Sequence, residues 1–244
     1  YEARNVIQMA HGDGTVRIFD AGHSDELENS TVLQVDIARA LGRYEDIEIS
    51  EMSMAGATGE LAVGTRTGEV VIYRWAGNRS YGREAPQPTE TKRGDIIDIS
   101  ERTEPTLKQG LQPHSLYDMR HGSISALKVS DVGFIGIVVI EFGVMTAEGD
   151  DYSSILCFVG TCIGRLITLK ILPQGNGGYT AKIAGSTMLN DRIVAICPIS
   201  SSSGKPALAT GIAVAGLREG QQVHGTLVVG MSDLFIASLL ISFH

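Results

Sequence analysis

A repeated hairpin constrains this chain more than any other feature. Leu61 to Tyr73 aligns with Cys157 to Leu169, and each segment carries Gly-Thr-x-x-Gly, at Gly64-Thr65 with Gly68 and at Gly160-Thr161 with Gly164. The flanking runs are rich in Val, Ile and Leu, which fit a pleated, half-buried surface. The second glycine of each can take the positive φ of a tight turn without a Cβ penalty. Val6 to Phe19 repeats the plan around His11-Gly12-Asp13-Gly14, and Asp-Gly is itself a strong hairpin signal. A weaker copy places Thr226 to Gly230 before Met231-Ser232-Asp233 and then Leu234 to Ile236.

The turn positions Gly14, Gly68, Gly164 and Asp233 lie 54, 96 and 69 residues apart, and 96 is two steps of 48. A further unit therefore belongs between Gly68 and Gly164. Ser123 to Val129 followed by Gly133 to Ile137 reads as its first two strands. About five units of roughly 40 to 50 residues result, the length of a WD-type propeller blade. The expected fold is all-β: a WD-repeat-like β-propeller segment over residues 1–244, each blade a four-stranded antiparallel sheet. Leu61, Val63, Val70, Ile72, Phe158, Leu166 and Leu169 should then be buried between blades. After Ile137 the pattern demands a turn and a third strand, but Val138 to Phe142 reads as the opening strand of the next blade. This predicts that residues are absent between Ile137 and Val138, unless a single regular strand crosses that bond.

Linking segments are polar. Arg79 to Thr106 holds three of the seven prolines, and Ser200 to Gly204 is a serine run; both read as mobile inserts. In Thr31 to Gly42, alternating Leu33, Val35 and Ile37 predict a strand, and Ala38 to Leu41 a short helix after it.

A formal net charge of −8 repels phosphate backbones, and no stretch gathers Lys and Arg with interleaved aromatics, which argues against nucleic acid as a partner. The longest strongly apolar run, Val132 to Ile140, stops well short of the roughly 18 residues of a membrane span. Cys157, Cys162 and Cys197 are an odd number and read as buried thiols in a reducing compartment. The sequons at Asn29 and Asn78 follow no signal peptide and read as chance. The chain opens on Tyr1, as a segment of a longer protein would.

No residue set points to catalysis, a cofactor or a metal. His11 and Asp13 flank Gly12 in the first turn, where hydrogen bonding across the strands explains them better than a proton relay or a metal pair. His114, His121 and His224 lack partners at metal-ligand spacing. Glu148-Gly149-Asp150-Asp151 reads as a solvated acidic turn without a calcium ligand set. The Gly-Asn-Gly-Gly run at 175–178 precedes a strand at Tyr179 to Ala181, so it cradles no phosphate at a helix N-terminus.

Several longer stretches are more specific than the repeat. His11 to Asp20, Asp25 to Asn29, Leu33 to Asp36 and above all Ser53 to Thr65 resemble the lethal giant larvae and tomosyn family, in particular its fungal exocytosis members. Ile124 to Leu127 with Gly133 to Ile137, and Phe158 to Thr161 with Lys170 to Pro173, resemble later blades of the same family. The resemblance covers most of residues 4 to 200. It implies a double propeller of which this chain supplies the junction and much of the second. It also implies a non-enzymatic scaffold that binds plasma-membrane SNARE proteins, with a Rab GTPase and the exocyst as further partners. Such a protein is cytoplasmic and peripheral at the plasma membrane, regulating vesicle docking and fusion in polarised exocytosis. The repeat alone fits equally a generic WD-repeat scaffold in an unrelated complex. The resemblance assigns no partner-binding residue.

Overall fold

In the computed structural model, four antiparallel sheets follow one another along the chain. The first holds β1 (Val6–Ala10), β2 (Thr15–Asp20) and β3 (Thr31–Asp36), and is followed by the short helix α1 (Ile37–Leu41). The second holds β4 (Ile49–Ala55), β5 (Glu60–Thr65), β6 (Glu69–Gly77), β7 (Ile97–Asp98) and β8 (Gln109–Asp118), in the order β4-β5-β6-β8-β7. The third holds β9 (Ile137–Met145), β10 (Ser154–Thr161), β11 (Arg165–Pro173) and β12 (Tyr179–Met188). The fourth holds β13 (Ile193–Ser200), β14 (Gly225–Met231) and β15 (Ile236–Leu240). The structure describes residues 6–20, 31–45, 47–55, 59–77, 96–99, 109–118, 136–146, 150–151, 153–173, 179–189, 191–209, 224–232 and 236–240.

Period-two alternation decides how the sheets stack, because successive side chains of a strand point to opposite faces. Leu61 and Val63 of β5, with Val71 and Tyr73 of β6, face the first sheet and pack on Val16, Ile18 and Val35. Ala62, Val70 and Ile72 face the third sheet and join Ile140, Phe142, Cys157 and Val159. Leu156 and Phe158 face the fourth, against Ile193, Leu227 and Val229. Strands covered on both faces are apolar through their middle, and β5 and β10, buried along their whole length, keep polar residues only at their ends, Glu60 and Thr65 in one and Ser154 and Thr161 in the other. All seven residues expected in the core are buried. β9 lies between β4 and β13, so the first strands of three successive sheets run side by side.

Gly64 and Gly160 owe their identity to that stacking. A Cβ at Gly64 would lie 2.5 Å from Ile137 Cγ2, and one at Gly160 would lie 2.5 Å from Val139 Cγ1 in its own sheet and 2.7 Å from Ile193 Cγ2. Each glycine thus admits the opening residue of the next sheet, which explains why the position recurs in the repeat.

The described residues form four sheets where five units were expected. Residues 123–135, most of the extra unit, lie outside the described residues. Ile137 does not end that unit: fully buried against Gly64, it opens β9 and pairs with Thr161. One strand crosses the bond between Ile137 and Val138, with a bulge that leaves Val138 as the extra residue opposite Gly160 and Thr161.

Within the expected insert at 79–106, Ile97–Asp98 pair with β8 and Ile99 is buried in the core beside Tyr73; 79–95 and 100–106 lie outside the described residues. Ser200, the last residue of β13, is buried, and 201–204 form an exposed turn closed by Gly204 N–H donating to Ser200 O at 2.8 Å. The strand-then-helix reading of Thr31 to Gly42 matches β3 and α1. Asp36 caps the helix by accepting from Arg39 N–H, and Gly42 ends it at φ 68°.

Candidate interaction face

The hairpin turns carry the repeat's chemistry. In two of them a threonine hydroxyl takes the first amide of the returning strand: Glu69 N–H donates to Thr65 Oγ1 at 3.0 Å, and Arg165 N–H to Thr161 Oγ1 at 2.9 Å. The first turn has His11 in the threonine position, so Asp13 does this work instead. Its Oδ1 accepts from Thr15 N–H at 3.0 Å and from the Thr15 hydroxyl at 2.6 Å. These bonds from Thr15, aided by Arg17, hold the Asp13 carboxyl below its ordinary range. A carboxyl with a depressed folded pKa contributes stability above its unfolded pKa and loses it as pH falls through the folded value. Asp13→Asn should therefore destabilise the hairpin at neutral pH, with the deficit shrinking as pH falls below about 4. Melting curves at pH 7 and pH 3 check this; a deficit unchanged between the two would refute it. His11 closes the turn through its backbone, its N–H donating to Thr15 O at 2.9 Å, but its Nε2 is buried with no hydrogen-bond partner among the described residues, so of the two side chains it is Asp13 that ties the turn.

The turns reach the connections that lead into the next strands. Arg66 N–H donates to Glu48 O at 2.9 Å and Cys162 N–H to Gly136 O at 3.0 Å, just before β4 and β9 begin. Two open clefts form where turn and connection meet. One, of about 530 Å³, is lined by Asp13, Tyr44, Ile47, Glu48 and Arg66; the other, of about 470 Å³, by Ser50, Arg66, Val138, Cys162 and Arg192. Arg66 stands between them, its guanidinium 2.8 Å from Glu48 in an exposed pair. Tyr44 is 77% exposed. Wide, shallow and charged, with an exposed aromatic and two arginines, this face has the composition of a protein-docking surface more than that of an enclosed ligand pocket.

Beneath it lies an anchored ion pair. The turn at Gly42 sends Arg43 across to β6, where its guanidinium lies 2.5 Å from Glu69 Oε1. The Glu69 side chain is 0% exposed and that of Arg43 22%. Hydroxyls of Thr65 and Thr67 also donate to the Glu69 carboxylate, and Arg43 donates to Thr67 Oγ1 at 2.8 Å. The arrangement fixes the first turn-bearing connection to the second sheet.

Cys157 is buried, and burial pushes its thiol well above the ordinary range, whereas Cys162 and Cys197 are only partly buried. Asp150 is not a solvated turn residue: it pairs with the buried Lys170 of β11. Glu148, Gly149, His121, Asn29, Asn78 and the glycine run at 175–178 lie outside the described residues, but β12 does begin at Tyr179. His114 sits on β8 and His224 is exposed just before β14. Glu51 of β4 and Glu141 of the adjacent β9 are both held above the ordinary carboxylate range by burial, Glu141 further by the Glu51 charge. Among the described residues no group of three or more His, Cys, Asp or Glu side chains could hold a metal ion. Among them, too, no helix is long and apolar enough to cross a membrane.

Comparison with known proteins gives two findings. A family model described as lethal giant larvae (Lgl) like, C-terminal, matches residues 46–139 and 136–238. The chain is also 29% identical, over 285 aligned positions, to Lethal(2) giant larvae protein homolog SRO77 of Saccharomyces cerevisiae, with 98% of this chain and 28% of that protein covered. The chain thus spans little more than a quarter of the relative's length. The alignment has more positions than the chain has residues, so the relative carries residues within the matched region that have no counterpart here. The two family matches meet at residues 136–139, where β9 begins.

Proposed function

Because this chain belongs to the lethal giant larvae family, we propose that it is part of a non-enzymatic scaffold that binds SNARE proteins and regulates vesicle docking and fusion in polarised exocytosis. Family membership is the observation that carries this reading. The four sheets are read as successive blades of a WD-repeat-like propeller within a double propeller; the side-by-side placement of β4, β9 and β13 supports that. A Rab GTPase and the exocyst are further partners, and the protein works in the cytoplasm, peripheral to the plasma membrane.

The cleft-bearing face is the proposed docking surface. A rigid sheet scaffold that captures a disordered SNARE segment gains wide contact while the ordering of that segment limits affinity, which suits a regulator that must release its partner. Isothermal titration of the parent protein with the soluble region of a plasma-membrane SNARE is expected to give saturable binding. Arg66→Glu and Arg192→Glu together should weaken it at least about tenfold, some 1.4 kcal/mol, without lowering the melting temperature. A parent protein that ignores every plasma-membrane SNARE yet binds another complex tightly is instead a generic WD-repeat scaffold.

A further inference from the structure

The chain makes a detour inside the fourth sheet. β13 and β14 pair as far as Ser200 opposite Gly225, and Ser201 N–H donates to His224 O at 2.8 Å, so the hairpin is closed at the base of its long connection. From the exposed turn at 201–204 the chain doubles back as a strap, Lys205 to Ala209. It first follows β13: Ser200 N–H donates to Lys205 O at 2.9 Å, and Ala207 N–H to Pro198 O at 2.7 Å. It then crosses to the third sheet, where Val144 N–H donates to Ala207 O at 3.0 Å and Ala209 N–H to Phe142 O at 3.2 Å. Ala207 is the changeover, its N–H serving β13 and its carbonyl β9, between the bridges Ile199–Pro206 and Gly143–Leu208. The seat is close-fitting, since a Cβ at Gly143 would lie 3.1 Å from Ala207 O. Ala207 and Ala209 are both buried, the first in the core toward the fourth sheet and the second in the core between the second and third.

The strap is lightly held. Each alanine buries a single methyl, Leu208 between them is partly buried, and Lys205 and Pro206 are exposed, so little apolar area keeps it in place. Its grip rests on backbone hydrogen bonds, each of modest net worth. The ladders on either side, β9 with β10 and β13 with β14, are complete without it. We propose that Lys205–Ala209 is a releasable strap: seated, it couples the third and fourth sheets through the backbone, and it opens while both sheets stay folded. Release uncovers Phe142 O and Val144 N–H on the edge of β9, and an uncovered strand edge is a template for an extended peptide. The strap lies toward the ends of β9 and β13 remote from Val138 and Arg192, which line the cleft face. The inference therefore does not rest on the partner proposed above.

Two neighbouring amides of β9 report strap and sheet separately. Val144 N–H faces the strap, so by alternation Gly143 N–H faces β10, opposite Leu156. Hydrogen exchange on the full-length parent protein, corrected for intrinsic rates, is expected to show Val144 exchanging at least about a hundredfold faster than Gly143, yet at least about tenfold slower than an unprotected amide. Ala207→Asp places a carboxylate where the strap is buried and should eject it. Val144 then exchanges as an unprotected amide, while Gly143 keeps its protection to within about tenfold. Equal exchange of Val144 and Gly143 in the parent protein would overturn the proposal, since the strap would then open only with the sheet. So would a Val144 amide unprotected in the parent protein, which means that the strap is not seated. An Ala207→Asp protein in which Gly143 loses protection together with Val144, or in which Val144 stays protected, would overturn it as well.

Discussion

Gly164→Ala is expected to cost about 3 kcal/mol of stability, the largest effect of any glycine substitution in the repeat. Two costs add at this position. The backbone sits at φ +84°, a left-handed conformation that disfavours a residue with a Cβ by about 1–2 kcal/mol. The added Cβ would also lie 2.5 Å from Leu189 O and 2.6 Å from Asp191 O. Those are backbone atoms of the connection to the fourth sheet, and Leu189 N–H in turn donates to Gly164 O at 2.8 Å. A flexible side chain could swing aside, but this segment moves only by giving up its own hydrogen bond, so overpacking adds about 1–3 kcal/mol. Gly204→Ala separates the two costs, since Gly204 has φ +65° and an added Cβ there would meet nothing within 4 Å. It should lose only about 1 kcal/mol. Denaturant midpoints at matched slopes check both; equal losses would mean that the clash at Gly164 relaxes freely.

The same glycines mark the limit of what the sequence discloses. Gly-Thr-x-x-Gly is legible as a hairpin because its cause is local: a positive φ at Gly68 and Gly164, and a threonine that caps an amide four residues on. The burial of Leu61, Val70 and Phe158 is legible because uninterrupted apolar runs imply cover on both faces. By contrast, the reason for Gly64 and Gly160 lies in Ile137 and Ile193, tens of residues away, and no local pattern carries it. The sequence misplaces Ile137 for a related reason. Period two is the same in the second strand of one unit and the first of the next, so only the contact with Gly64 decides between them. Asp150 reads as solvated because Lys170 belongs to a strand 20 residues on whose other residues are largely apolar. The cleft face is assembled from turns of separate units, and no single segment announces it.

Arg43 and Glu69 make the second large prediction, and their coupling is equally hidden, 26 residues apart in the chain. Removing one partner of a buried pair leaves an uncompensated charge and costs about 3–5 kcal/mol, whereas replacing both with apolar groups of similar volume is often near neutral. Glu69→Leu should fall at the low end, about 3 kcal/mol, because the partly exposed Arg43 guanidinium can turn toward water. It also strips an acceptor from the Thr65 and Thr67 hydroxyls, which lie at the same turn. Arg43→Met with Glu69→Leu should recover most of that loss, to within about 1 kcal/mol of the parent protein. The exposed pair of Arg66 and Glu48 is the control, since both side chains are more than half exposed. Exposed pairs contribute about 0–1 kcal/mol and are screened by salt. A double-mutant cycle at low and high salt therefore distinguishes the two: the Arg43–Glu69 coupling should persist at high salt while that of Arg66–Glu48 vanishes. A double variant as unstable as Glu69→Leu alone would show that the loss comes from packing and the threonine hydroxyls. The ion pair would then not be what anchors the interaction face to the second sheet.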